Sequence, residues 1–227
     1  MLTDAKRFKA YKSELYSQFA RVGRAVANPR RLEILDLLAQ GERTVEDLAA
    51  EVGTTVSNIS QHLQVLRSSG LVSSRKDGQF VHCALSGEQV AVFWQAMRRL
   101  SVGLSSDLRE LLAIYVDDRD KLEQIEQAEL LEHVRHGRIT VIDVRPEREF
   151  RAGHIPNAVS MPLELLEEKM KGLPRDKEVV AYCRGPYCLL SVEAVERLRK
   201  SGFAARRLED GFPEWRGSGL PIERDEK

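Results

Sequence analysis

The feature that most constrains this 227-residue chain is a change of hydrophobic period part-way along it. Up to Tyr115, apolar residues recur at helical spacing, interrupted by one alternating stretch. Beyond the polar segment VDDRDK, short apolar runs alternate with helical ones. One core rarely serves both patterns, and the length suits two domains of roughly 100 residues each. The boundary is placed near Asp117. Residues 1–117 read as a mainly helical domain and 118–227 as an α/β domain, whose strands separated by helices imply a parallel sheet flanked by helices. There is no internal repeat.

Composition narrows the class. With 42% hydrophobic and 31% charged residues, and no run of about 18 apolar residues, the chain reads as folded and not membrane-spanning. Its first residues mix charges into every turn and offer no apolar signal core, so a cytoplasmic location is expected. Lys plus Arg equals Asp plus Glu at 35 each, which gives no overall signature of a nucleic-acid binder. A small basic excess in residues 1–100 points any DNA-facing surface to the first half. Three cysteines do not make a disulfide framework and leave thiol chemistry open.

Within the first half, residues 4–22 predict a helix with Phe8, Tyr11, Leu15, Phe19 and Val22 on one face. Asn28-Pro29 opens a second helix that Gly41 stops. Thr44 and Asp47 have capping-box spacing for a short third helix closed by Gly53. The segment TTVSNISQHLQVLRSSG follows as another helix, with Val56, Ile59, Leu63 and Leu66 as its apolar stripe. Ser57, Asn58, Gln61 and Gln64 point away from that stripe, with Ser60 and His62 at its edges. Hydroxyls and amides so arranged suit base edges and phosphates, and the pair of short helices has the helix-turn-helix pattern. Residues 71–85 change to period two around Asp77-Gly78, predicting a hairpin with Arg75 and Lys76 near its tip, a wing able to touch the phosphate backbone. A long amphipathic helix then runs from Val90 to Tyr115, with more apolar surface than so small a domain covers, which implies dimerisation.

Taken in order, PRRLEILDLLAQGERTVEDLAAEVGTTVSNISQHLQVLRSSGLVSSRKDGQFVHCAL resembles the ArsR-type winged-helix repressors, SQHLQVLRSSGLV being its most specific piece. The resemblance implies a homodimer that inserts one recognition helix per subunit into double-stranded operator DNA. It also implies release by a signal. The Cys-x-Cys motif and last-helix ligands of metal-sensing relatives are missing, and His62, His82 and Cys83 lack metal-ligand spacing. No metal or cofactor is expected. Cys83 alternates with Val81 and Leu85, which predicts plain burial.

In the second half, helices are expected over 120–135, 164–171 and 189–200, and strands over 139–144, 178–182 and 203–208. The stretch IDVRPEREFRAGHIPNAVSMPL, the Cys183 loop and EDGFPEWRGSGLPIE together resemble a rhodanese domain. That resemblance implies sulfurtransferase chemistry in which Cys183 takes a sulfane sulfur as a persulfide and passes it on. Asp143 and Arg145 match the family's DVR, implying that they hold strand end and loop together, while His154 resembles a structural signature. The loop itself supports thiolate chemistry, because Cys183 lies between a strand and a helix N-terminus, where backbone N–H groups and the helix dipole favour anionic sulfur. Arg184 is placed either to attract anionic donors or to point its side chain outward, away from the sulfur. Gly185, Pro186, Tyr187 and Leu189 complete the loop.

CRGPYC departs from the usual rhodanese loop, with Pro186 where glycine is frequent and Cys188 at its sixth position. A second thiol there is able to attack a Cys183 persulfide if the two Cα atoms approach within about 7 Å. The expectation is therefore a DNA-binding regulator, with repression the expected sign, whose rhodanese domain senses or processes reactive sulfur. Thiosulfate, polysulfide or a low-molecular-weight persulfide is the donor, and no membrane is involved. The alternative is an active sulfurtransferase whose DNA-binding domain is not controlled by sulfur loading. Phosphatase or arsenate-reductase chemistry needs Cys-x5-Arg, and position 189 is Leu.

Overall fold

The computed structural model of the chain describes residues 4–117 and 124–225. By its packing the chain divides into two compact units, Met1–Ala91 and Val92–Lys227. Among the described residues no helix is long and apolar enough to cross a membrane.

The first unit is a winged helix-turn-helix. Its elements are α1 (Asp4–Val26), α2 (Pro29–Gln40), β1 (Arg43–Thr44), α3 (Val45–Val52), α4 (Val56–Ser68), β2 (Val72–Asp77), β3 (Phe80–Leu85) and the start of α5 (Glu88–Leu104). The capping residues do what their chemistry suggests. Asn28 accepts from the Arg31 N–H, and Pro29 occupies the first turn of α2. Thr44 and Asp47 form a reciprocal capping box, and α3 ends at Gly53 with φ +68°, a left-handed C-cap that glycine adopts without a Cβ penalty. Thr55 caps α4 by accepting from the Asn58 N–H at 3.2 Å. The core gathers Ile34, Leu35, Leu48, Ile59, Leu63, Leu66 and Cys83. The three strands form an antiparallel sheet in the order β1-β3-β2.

Two expectations need correction here, and α1 leaves its apolar face uncovered. Val56 opens α4 but is exposed, so the buried stripe begins only at Ile59. Among the described side chains of α1, those of Ala25 and Val26 alone are buried, and Phe8, Tyr11 and Phe19 are exposed. The expected continuous helix from Val90 to Tyr115 is broken into α5 and α6 (Ser106–Leu112), followed by a wide π-type turn over Ala113–Asp117. Ser105 makes the break, since its extended backbone and its hydroxyl, which accepts from the Leu108 N–H, start a new helix. The Val102 and Gly103 carbonyls, whose helical partners are thereby lost, accept from the Arg109 guanidinium at 2.8 and 2.9 Å.

The second unit is the α/β half. In chain order it contains β4 (Gln124–Ile125), α7 (Gln127–Arg135), β5 (Ile139–Asp143), α8 (Glu147–Ala152), β6 (Val159–Ser160), α9 (Leu166–Lys169), β7 (Glu178–Tyr182), α10 (Leu189–Lys200), β8 (Ala205–Leu208) and α11 (Phe212–Gly217). Five parallel strands are ordered β4-β8-β7-β5-β6. Along β7, Val179 and Ala181, then Cys183 just beyond the strand, join a core with α9 and α10, while Val180 and Tyr182 join another with α7 and α11. Such a strand is buried on both faces, as a helix-covered parallel sheet requires.

The first expected helix of this half falls partly on residues 120–123, outside the described residues. Gln124 and Ile125 are strand, paired to Arg207 and Leu208. The expected helix over 164–171 is three short pieces, with 3-10 turns on either side of α9. The last strand starts at Ala205, and Phe203 is instead a core residue. Elements α8, β6 and α11 were not anticipated.

Candidate functional site

In the first unit, α4 presents Ser57, Asn58, Ser60, Gln61 and Gln64 to solvent, with His62 half-buried beside them. Burial, reinforced by the nearby Arg31 and Arg30 charges, holds the His62 imidazole below its ordinary pKa. The ring is therefore mostly neutral at pH 7 and carries a hydrogen-bond donor and an acceptor. Those arginines open α2 and were not singled out from the sequence, although PRR follows the capping Asn28. Arg30 pairs with Glu33 at 3.0 Å, and Arg31 donates to the Arg24 carbonyl at 3.0 Å.

The wing is the β2–β3 hairpin, with Asp77 paired to Phe80 and Gly78 at φ +59° in its two-residue turn. Arg75 and Lys76 lie on β2. Arg75 forks onto Glu42 and also meets Asp77 at 3.1 Å. Its charge is thus engaged within the unit before any contact with DNA. Cys83 is fully buried, and that burial raises its thiol pKa.

In the second unit, the loop from Cys183 to Cys188 joins β7 to α10. Cys183 is 1% exposed and Cys188 is half-buried at the α10 N-cap. Their sulfurs are bonded to one another, with the Cα atoms 6.3 Å apart, inside the limit set above. The loop is held by one hydrogen bond of its own and by three contacts from its surroundings. The Phe212 N–H donates to the Cys183 carbonyl at 3.0 Å, and the Cys188 N–H to Gly185 O at 3.1 Å. Arg207, buried on β8, donates to Pro186 O at 3.1 Å. A Cβ on Gly211 would lie 2.2 Å from the Gly185 nitrogen, so backbone passes against backbone where no side chain fits.

Arg184 departs from its expected role. Its Nε lies 3.1 Å from both oxygens of Glu149, a carboxylate with no exposed surface. A buried carboxylate demands a partner, and this one draws the Arg184 guanidinium onto α8. Arg184 thereby ties the loop to its neighbour; it does not stand out as an anion lure. Asp143 and Arg145 are both fully buried and bridged, with Nε to Oδ1 at 2.9 Å. Arg145 also donates to Gly153 O at 2.8 Å and lies over the Phe212 ring at 4.2 Å. That geometry brings the end of β5 to the residues beneath the loop. His154 Nδ1 donates to Phe150 O at 2.9 Å while its ring stacks on Phe150. Glu149, Arg207 and Glu214, which contact the loop or its support, were missed. Glu149 and Glu214 lie in the rhodanese-like stretches, which was their only sequence signal, and Arg207 lies outside them, in the run expected as a strand over 203–208.

Outside the loop, a cleft of about 340 Å³ is bordered by Arg99, Val102, Pro186, Tyr187, Arg207 and Asp210, among others. Leu189, which excluded a Cys-x5-Arg loop, begins α10 and is partly exposed.

Comparison with known proteins agrees with both halves. Residues 28–74 match the family described as bacterial regulatory protein, arsR family, and residues 126–218 match the rhodanese-like domain. The HTH-type transcriptional regulator Rv0324 of Mycobacterium tuberculosis is 41% identical over 212 residues, which is 93% of each chain. Among solved structures, a fragment of a possible transcriptional regulatory protein from Mycobacterium bovis is 46% identical, covering 40% of this chain and 97% of that one, with TM-score 0.38. A rhodanese-related protein from Thermoplasma volcanium is 34% identical, covering 44% of this chain and 97% of that one, with TM-score 0.41. Because the likeness to Rv0324 takes in nearly all of both proteins, winged helix and cysteine-loop sheet together, the chain belongs to the ArsR family of transcriptional regulators and carries a C-terminal rhodanese-like domain.

Proposed function

We propose that the protein is a homodimeric repressor that binds operator DNA through α4 and the wing and reads reactive sulfur through Cys183. The observation that carries this reading is the pair of loop thiols, close enough to join, at the N-terminus of α10. The chemistry runs in two balanced steps. The Cys183 thiolate attacks the outer sulfur of a persulfide or polysulfide donor; that sulfur's bond to the donor breaks, and the donor thiolate leaves with the electron pair. The Cys188 thiolate then attacks Cys183 Sγ, expelling the added sulfur as hydrosulfide. Two thiols are oxidised to a disulfide and one sulfane sulfur is reduced to sulfide, with the thiol protons passing to solvent and sulfide. The N-terminal dipole of α10 favours each anionic sulfur near the loop.

Dimerisation is supported by apolar residues left exposed along α5 and α6, including Leu100, Leu111 and Leu104 at 76% exposure, which form a surface that a second copy would cover. Repression is the expected sign, with sulfur loading or disulfide formation changing operator affinity.

The test is fluorescence anisotropy of the full chain on DNA from upstream of its own gene, with and without polysulfide, while intact mass counts added sulfurs. A Cys183-dependent change in affinity is expected, abolished in Cys183→Ser. Sulfur addition with unchanged, specific DNA binding would overturn sensing in favour of a sulfurtransferase merely tethered to DNA.

A further inference from the structure

Helix α5 contributes residues to both compact units, its first turn to the first and the rest to the second. The part that lies in the second unit packs against the support of the cysteine loop. Arg98 pairs with Glu214 of α11, the two side chains being 13% and 3% exposed. The other oxygen of Glu214 accepts from the Gly211 N–H at 3.2 Å, and Gly211 is the residue pressed against Gly185. Arg98 also reaches the loop directly, since a Cβ on Gly185 would lie 3.0 Å from its Nη1. Trp94, one turn earlier on α5, has its ring 5.3 Å from the Arg98 guanidinium, and Gln95 lies against Gly217 of α11.

From this arrangement we infer that Arg98 is the positioning residue through which the state of the Cys183 loop is read by helix α5: its guanidinium contacts Gly185 and, through Glu214, the Gly211 turn on which the loop rests. The inference rests on the sulfur-sensing reading above and names the element that transmits it. Three properties make Arg98 suited to the task. A loop that must change shape between thiol, persulfide and disulfide has no spare volume at Gly211, so its movement is felt at Gly185 and at the Gly211–Glu214 bond. Glu214 is buried and draws the arginine in; burial raises its carboxyl pKa and Arg98 opposes that rise. Finally, α5 is one continuous helix from Glu88 to Leu104, and a helix moves as a rigid element more easily than it bends.

The experiment compares wild type, Arg98→Gln, Arg98→Lys and Glu214→Gln, all as the full chain, with and without sodium tetrasulfide. Intact mass reports sulfur addition and disulfide formation at Cys183, and anisotropy reports affinity for the upstream DNA. In wild type, sulfur treatment is expected to change affinity about tenfold. Arg98→Gln and Glu214→Gln should take up the same sulfur and bind DNA as untreated wild type does, but show a change below about twofold. Arg98→Lys, which keeps the charge but not the planar fork, should restore part of the response. A merely structural arginine would lower untreated DNA binding or sulfur uptake in parallel with the response. A full response in Arg98→Gln, or in Glu214→Gln should the arginine variant not fold, overturns the inference while leaving sulfur sensing intact. Wild type that takes up sulfur with no change in affinity overturns both, and is recognised without any variant.

Discussion

The two units hold their functional groups in opposite ways. On α4, the side chains proposed to meet DNA stand in solvent apart from the half-buried His62, and their backbone is fixed by a cap at Thr55 and by Ile59, Leu63 and Leu66 beneath. Around Cys183 the proposed reactive sulfur is buried, and its neighbours are ion pairs built on buried carboxylates: Asp143 with Arg145, Glu149 with Arg184, and Glu214 with Arg98. A surface that reads an outside partner keeps its hydrogen-bonding groups exposed, whereas a loop that tunes one sulfur needs its supports committed to each other. Substitutions should therefore act on binding in the first unit and on folding, or on what the loop transmits, in the second.

The largest expected break in that contrast is Arg145→Ala. It strands the Asp143 carboxylate in a site with no exposed surface, at a cost of about 3–5 kcal/mol. Urea unfolding should show the loss in the second unit's transition, with that of the first unchanged. Next come Ser57→Ala and Gln61→Ala, each expected to weaken specific DNA binding by about 1–3 kcal/mol if it contacts a base, with the urea midpoint unmoved. A comparable fall in stability would mean that α4 is not the independent reading surface described.

A pH experiment sharpens the view of Glu214. Its carboxyl pKa is raised by burial and restrained by Arg98, so Arg98→Gln should let it rise further. An acid whose folded pKa lies above the unfolded one binds protons more readily when folded, and it loses stability as pH climbs through the folded value. The deficit of Arg98→Gln relative to wild type should thus be small near pH 4 and grow toward pH 7, by about 1.4 kcal/mol per unit of added shift. A deficit independent of pH would assign the arginine to packing alone.

Smaller again is Arg30→Ala, expected to lower the slope of log affinity against log salt by about one if Arg30 meets a phosphate, equally for specific and nonspecific DNA. Smallest is Cys83, whose buried thiol is raised in pKa. It should resist iodoacetamide at neutral pH in the native protein and react only after unfolding, as followed by mass spectrometry.

Much of the fold was legible because it is encoded locally. Asn28-Pro29, the Thr44–Asp47 box, Gly53 and the alternation around Gly78 each act within a few residues, and each element appears where its signal stands. The strand over 178–182 and the helix over 189–200 have the limits read from their apolar runs. The long helix was misread for an instructive reason: its apolar spacing continues through Ser105, and periodicity is blind to a serine that caps. Gln124 and Ile125 were misread as helix because two residues become a strand only by pairing with β8.

For the site, period and loop chemistry picked out the polar face of α4 and the cysteine loop, and family resemblance pointed to Asp143 and Arg145, which the fold pairs beside that loop. Tertiary structure alone decided which carboxylate each arginine serves: Arg184 turns to Glu149 instead of outward, and Arg98 reaches Glu214 across more than a hundred positions of sequence. The physical reason is that a buried charge is stable only beside an opposite one. The chain spells out the charges, but which of them are buried together is settled only when the sheet and its helices close around the loop.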